Sequence, residues 1–515
     1  MSRQPMSNAD AGWLQMESPT NPMMIAGFFE FDQPMDFERL KATVEHRLLR
    51  FERFKQRIVK PRVALHQYYW ETDPHFELDS HLHRIALPAP GDLAAFKAAA
   101  NDLASTPLDL SRPLWQFHLI ENYGERSVLF CRLHHCIADG IALLHVLLSL
   151  CDDTAAAPWP TAQSGNGHRP VGLAATLWRP AGSALSAAQT VAHESVDLLR
   201  NPARAVIWTQ MAAGAAQSMA RVTLMRPDSR SVLKGQLSVA RRMAWSQPLP
   251  LDAVKAVSRA TGATVNDVMV SSLAGALQRY MQGQGQDAAK VRMRAMMPVN
   301  LRPADESPEA LGNRFGLYAS DLPMSVADPL ERLAAFKQHI DHLKHTPEGY
   351  VTRAIVEIAG MTPVEVERPL IRFFASKTSV VITNVAGPRQ KLYLADNQIR
   401  QVNFWVPQTA GIGLGVSIFS YAGEVVVGVM ANAKLVPDPE AIVAAFEAEF
   451  AALQARVAQP ALPTETQPAI SHNGHGPAAA AAGRCQALTK AGQPCKNAAL
   501  PGSTNCRVHT GVVIA

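Results

Sequence analysis

Long apolar runs, cysteine and charge are all scarce in this 515-residue chain. No stretch reaches the ~18 consecutive uncharged apolar residues that a membrane-crossing helix needs, so a transmembrane protein is not expected. The N-terminal residues Met1–Trp13 lack the apolar centre of a secretory signal. Six cysteines fall into two groups, Cys131, Cys136 and Cys151 in mid-chain and Cys485, Cys495 and Cys506 near the end. That is no disulfide framework, and a reducing cytoplasm is the expected compartment. Charged residues are 18% against 47% hydrophobic, the balance of a globular enzyme, and the length allows two or three domains with substantial cores. No internal repeat is evident.

The small positive excess is concentrated. Between Thr154 and Gly235 stand eight basic residues against three acidic ones, an excess equal to the +5 of the whole chain. Interleaved with Leu, Val, Trp and Ala, this charge points to an anionic membrane surface more than to nucleic acid; a solvated helical hairpin with ordinary surface charge is the plainer alternative.

The most informative stretch is Leu133-His134-His135-Cys136-Ile137-Ala138-Asp139-Gly140. Ser127–Leu133 before it is apolar and β-prone, a buried strand, and Ile141–Leu148 after it has helical spacing. Two histidines therefore stand where a strand turns into a helix, a junction that presents side chains at the mouth of a rigid scaffold. Imidazole, with an ordinary pKa of about 6.5, suits general-base work near neutrality. Because consecutive strand residues point to opposite faces, only one of the two rings can face a reaction centre. Asp139 is placed to brace the histidine or the turn, and Gly140 to permit a tight backbone. A buried histidine pair with Asp139 as a simple helix cap is the competing reading.

The motif HHCIADG resembles the His-His-x-x-x-Asp-Gly signature of the bacterial wax ester synthase/acyl-CoA:diacylglycerol acyltransferases, relatives of chloramphenicol acetyltransferase and peptide-synthetase condensation domains. Further stretches resemble the same family in order: Pro113-Leu114-Trp115, Asn266-Asp267, Met297–Pro303 and Leu311–Gly316. The resemblance runs from residue 7 to about 456. It implies an α/β fold of two chloramphenicol-acetyltransferase-like lobes joined by a helical linker, with the reaction centre in a channel between them. It also implies an O-acyltransferase moving a fatty acyl group from acyl-CoA to diacylglycerol or a long-chain alcohol, with His135 as base and no catalytic cofactor. Asp139 is expected to pair with a distant arginine, Arg302 or Arg57. Trp115, Asn266, Asp267 and Arg302 are the candidate substrate-side residues. On local chemistry alone Trp115 reads as packing, and Thr264 with Asp267 as a helix cap.

On these grounds the N-terminal lobe spans residues 1–153, the basic Ala-rich linker 154–235, the C-terminal lobe 236–458 and a flexible Pro/Gln/Ala-rich linker 459–483. Gly411–Ser417 runs straight into a strand, so it is no phosphate loop. His81 and His83 alternate on what reads as a surface strand. The tail, 484–515, carries Cys485, Cys495, Cys506 and His509, the ligand set of a structural zinc site, or else unrelated thiols on an unstructured tail. Peripheral association with the inner membrane face or lipid droplets is expected of an enzyme with lipid acceptors. Two rivals stay open: a condensation-type acyltransferase, which the absence of a Gly-x-Asp-Ser carrier site disfavours, and a non-catalytic lipid- or nucleic-acid-binding protein.

Overall fold

The motif strand, Arg126–His134, lies inside a six-stranded sheet because it is apolar on both faces and has a partner on each side. It runs antiparallel to Trp115–Tyr123 and to Met24–Phe31, with Leu133 opposite Trp115 and His134 opposite Met24. In this computed structural model the described residues are 3–60, 68–155, 157–161, 214, 216–302, 311–408 and 411–458. By contacts the chain divides at Gln459, and every described residue belongs to the unit Met1–Gln459.

The order across the N-terminal sheet is Tyr393–Leu394, Asn397–Trp405, Met24–Phe31, Arg126–His134, Trp115–Tyr123 and Leu82–Ala86. Its first two strands come from the C-terminal half. Asn397–Trp405 pairs antiparallel with Met24–Phe31, covering backbone groups that would otherwise form an open edge. The division at residue 236 does not anticipate this exchange. Trp405 is fully buried and meets Phe28, Phe130 and Trp245, so an aromatic cluster joins the two halves.

The second sheet runs Phe315–Asp321, Arg294–Asn300, Val380–Ala386, Leu414–Tyr421, Glu424–Asn432 and Arg241–Trp245. The helices Val265–Gly283, Pro329–Lys344 and Pro439–Ala458 share one hydrophobic core with it. Two mixed α/β lobes result, as expected; most of the predicted linker, including Arg169–Arg204, lies outside the described residues.

The N-terminal helix Asn8–Gln15 is capped by Ser7, whose Oγ accepts from the Asp10 N–H at 3.1 Å. It packs on the C-terminal lobe's helix Glu348–Met361 at Gly360, where a Cβ would sit 1.8 Å from the Asn8 carbonyl oxygen. Glycine is needed there for close approach, and that approach carries Trp13 to the motif loop.

Candidate active site

His135 continues the pairing of the motif strand by one residue: its main-chain N–H donates to the Met23 carbonyl at 2.8 Å. Its ring lies between two aromatic side chains. Trp13 stacks on it, centroids 4.0 Å apart and planes at 20°, and Phe315 meets it edge-on at 5.8 Å. Nδ1 is buried, and the residue borders the adjoining cavity. Burial pushes the His135 pKa down to about 4, against the opposing pull of the Asp139 charge. The histidine-range value expected from sequence is thus corrected downward, and the ring is neutral at physiological pH.

His134 turns the other way. Its Nδ1 accepts from the Cys136 N–H at 3.1 Å and its Nε2 lies 3.4 Å from Glu17 Oε2. The accepted bond places the proton on Nε2, facing the carboxylate. Glu17 also accepts from the Met23 N–H, so His134, Glu17 and Met23 form a brace behind His135.

Asp139 is the N-cap of the helix Gly140–Leu148, its Oδ1 accepting from Ala142 N–H at 2.9 Å. Its Oδ2 accepts from Arg302 Nη2 at 2.9 Å and from Arg314 N–H at 3.0 Å. Both members of the ion pair are buried, at 1% and 7% side-chain exposure, and Arg302 Nη2 also donates to Gly312 O. Asp139 therefore braces the turn and ties it to the other lobe, and it reaches the His135 ring through charge. Arg302 is the partner; the alternative, Arg57, pairs with Glu71 instead. Gly312 has φ +116°, a conformation that favours glycine, and it delivers Asn313. The Asn313 amide donates to His135 O at 2.9 Å and to Asp10 Oδ1 at 2.8 Å.

The cavity beside His135 holds about 220 Å³ and is lined mainly by apolar side chains of both lobes, including Ile25, Leu144, Pro298, Val381 and Phe404. Polar exceptions besides His135 are Asp139, Asn300, Thr383, Asn384 and Asn403. Gly140 lines it too. A Cβ there would meet nothing within 4 Å, so glycine at 140 keeps space open and is not required by backbone strain, correcting the expected reason for it.

The other predicted residues divide. Trp115 is fully buried in the N-terminal core, donates from Nε1 to Phe54 O at 2.8 Å and stacks on His81; it does not line the cavity, and its role is packing. His81 is likewise buried, with Nδ1 2.8 Å from Trp115 O, just before the half-exposed edge strand Leu82–Ala86 that carries His83. Asp267 completes a capping box with Thr264 and is fully buried, whereas Asn266 accepts from the cavity residue Asn384 at 3.2 Å. Burial raises the Cys136 thiol well above its ordinary range, so no thiolate stands beside the base. Cys485, Cys495, Cys506 and His509 lie outside the described residues. Trp13, Glu17, Asp10 and Asn313 are site residues to which the sequence assigned no role.

Known proteins resemble this chain in sequence and fold. Residues 6–269 match the wax ester synthase/diacylglycerol acyltransferase catalytic domain and residues 311–454 the C-terminal domain of the same family. A Mycobacterium tuberculosis protein carrying a diacylglycerol O-acyltransferase name is 31% identical over 80% of this chain and 88% of its own length. Another from that organism, named as diacylglycerol O-acyltransferase tgs1, is 27% identical over 84% of this chain and 92% of its own. Among solved structures, the wax ester synthase/diacylglycerol acyltransferase of Marinobacter aquaeolei VT8 superposes with a TM-score of 0.63 at 21% identity, covering 88% of this chain and 100% of that one. The first condensation domain of the calcium-dependent antibiotic synthetase shares the fold, with a TM-score of 0.57 at 14% identity over 90% of this chain and 97% of that one. The fold and site are those of an acyltransferase of two α/β lobes. The chain belongs to the wax ester synthase/diacylglycerol acyltransferase family.

Proposed function

We propose that His135 is the general base in transfer of a long-chain acyl group from acyl-CoA to the hydroxyl of diacylglycerol or a long-chain alcohol. The observation that carries this is a neutral imidazole opening onto an apolar cavity between the lobes. Nε2 takes the hydroxyl proton as the oxygen attacks the thioester carbonyl. The tetrahedral oxyanion collapses, the carbon–sulfur bond breaks, and the CoA thiolate takes the proton from the imidazolium. Triacylglycerol or wax ester and free CoA are the products. Asp139 and Arg302 hold the loop between lobes, and no protein nucleophile is needed.

Release of CoA from palmitoyl-CoA with hexadecanol or dioleoylglycerol tests this. His135→Ala should slow release by about 10²–10⁴-fold, the usual worth of a positioned base, while His134→Ala should cost less. A His135→Ala enzyme of near-normal rate would remove His135 from the mechanism.

Two further parts belong to the proposal. The basic segment 154–235 contributes attraction to anionic membranes or lipid droplets. The tail binds one structural zinc through Cys485, Cys495, Cys506 and His509, since three thiolates and an imidazole suit tetrahedral zinc.

A further inference from the structure

A second chamber, of about 90 Å³, has Trp13, Met296 and Leu317 as walls in common with the cavity beside His135. Ile355, Val356, Ile371 and Phe374 give it an apolar surface. Three of its polar side chains are turned to protein partners. Glu348 accepts from Ala319 N–H at 2.9 Å and from Arg221. Lys377 Nζ donates to the Val222 and Thr223 carbonyls at 2.6 Å, and Thr352 Oγ1 donates to Leu317 O at 2.8 Å. A guest in this chamber therefore meets mainly hydrocarbon. A polar segment placed there would give up its hydrogen bonds to water without replacement.

The chamber also shares Met16 and Ile371 with a groove of about 420 Å³, whose character is the opposite. Arg368 and Arg372, one turn apart on the helix Val364–Ala375, line the groove and stand exposed. Ser18, Thr20, Asn21 and Gln236 add hydrogen-bonding groups, and no acid stands among its described walls. Glu367, next to Arg368 in the chain, is buried and pushed up to about 8, so at neutral pH it is mostly protonated and neutralises neither guanidinium. Asn21 is 4% exposed, and its Nδ2 has no hydrogen-bond partner among the described residues. Two guanidinium groups that pair with no described carboxylate, near an unused amide donor, suit a carboxylate guest. Guanidinium binds that group through paired N–H···O bonds.

Shared walls thus put three spaces in succession: a cationic groove, an apolar chamber and the cavity with the proposed base. A guest laid along them carries an anion at one end, an alkyl chain in the middle and its reacting group at the other end. Acyl-CoA has a different order, since the amide-bearing arm between its phosphates and its thioester would fall in the apolar chamber. A simple alcohol or a diacylglycerol has no anion to offer the arginines.

We propose that the enzyme also takes long-chain ω-hydroxy carboxylates as acceptors, with the carboxylate at Arg368 and Arg372, the alkyl chain in the chamber and the terminal hydroxyl at His135. The hydroxyl oxygen bonds to the thioester carbonyl carbon and loses its proton to the imidazole. The carbon–sulfur bond breaks, and the CoA thiolate takes that proton. The product is an acyloxy carboxylate whose own carboxylate is unchanged. The proposal rests on the acyltransferase reading of His135.

The test uses full-length protein, palmitoyl-CoA and two acceptors of equal chain length, 16-hydroxyhexadecanoate and its methyl ester. Wild type should favour the acid over the ester about tenfold in kcat/KM, the low end for a hydrogen bond to a charged group. Arg368→Gln with Arg372→Gln should bring that ratio down to about one, because the charge that binds the carboxylate is gone. Equal use of acid and ester by wild type, or a ratio that the double variant leaves unchanged, overturns the proposal. So does a double variant that raises KM for palmitoyl-CoA and keeps the ratio, since the groove would then hold the CoA phosphates. If wild type acylates neither acceptor nor hexadecanol, the reaction reading fails. Calorimetric binding of 16-hydroxyhexadecanoate then decides the groove: affinity about tenfold weaker in the double variant supports it, and equal affinity overturns it.

Discussion

The indole of Trp13 lies nearly parallel to the imidazole of His135, 4.0 Å from centroid to centroid. Trp13 comes from a helix anchored on the C-terminal lobe, while His135 ends a strand of the N-terminal sheet, so their contact depends on how the lobes meet. The stack fixes the ring plane, and Nδ1 is buried.

Trp13→Ala should therefore lower acyl transfer by about tenfold through lost positioning. Stability should fall by about 3–5 kcal/mol, as for other buried aromatic truncations. Water admitted to the ring should carry the acid limb of the rate profile up from about 4 towards the ordinary histidine value. Trp13→Phe should restore most of both, because it keeps a stacking face. A Trp13→Ala enzyme with an unmoved acid limb would show that Trp13 does no more than pack.

The Asp139–Arg302 pair predicts coupling. Removing either partner strands a buried charge, so Asp139→Ala and Arg302→Met should each cost about 3–5 kcal/mol. Asp139→Ala should also lose the helix cap, worth about 1 kcal/mol. The double variant should cost clearly less than the two single costs added together. Simple additivity in urea unfolding would mean that the pair is not coupled across the lobes.

How much of this was legible in sequence follows from the range of each interaction. The strand, turn and helix around His135 are set by local apolar spacing and a local cap, and they stand where the pattern places them. Arg302 and Arg57 were equal candidates because ion pairing over 163 residues leaves no local trace; burial beside Gly312 decides it. Asp10 and Asn313 meet over 303 residues, and neither neighbourhood marks them as site residues. The strand Asn397–Trp405 looks the same in sequence whichever sheet receives it. Its place beside Met24–Phe31 is a tertiary fact.

The tail gives an independent prediction. Purified full-length protein should hold about one zinc per chain by elemental analysis, the number one Cys3His set binds. Truncation after Ala458 should remove the metal and leave acyl transfer intact, because every residue placed at the site lies within residues 10–407. Full-length protein free of zinc, or a folded truncated enzyme without activity, would refute respectively the site and its dispensability.

The lowered pKa of His135 makes the last prediction, and its sign can be worked through. A base acts when unprotonated, so kcat/KM should rise as pH climbs through about 4 and then stay level across neutrality. An ordinary histidine would put that limb near 6.5. Stability should respond to the same burial. In the unfolded chain this ring takes a proton below about 6.5, whereas the native ring refuses it until about 4. Between those values the unfolded state binds more protons, so stability is fully present above the window and is lost as pH falls through it. His118, pushed down to about 3 by burial, contributes with the same sign, so His135→Gln should flatten only part of the acid slope. Melting temperatures of wild type and His135→Gln from pH 4 to pH 7, beside initial rates, check both halves. An acid limb near 6.5 together with identical melting profiles would mean that His135 sits in water and that the sealed, neutral base described above does not exist in solution.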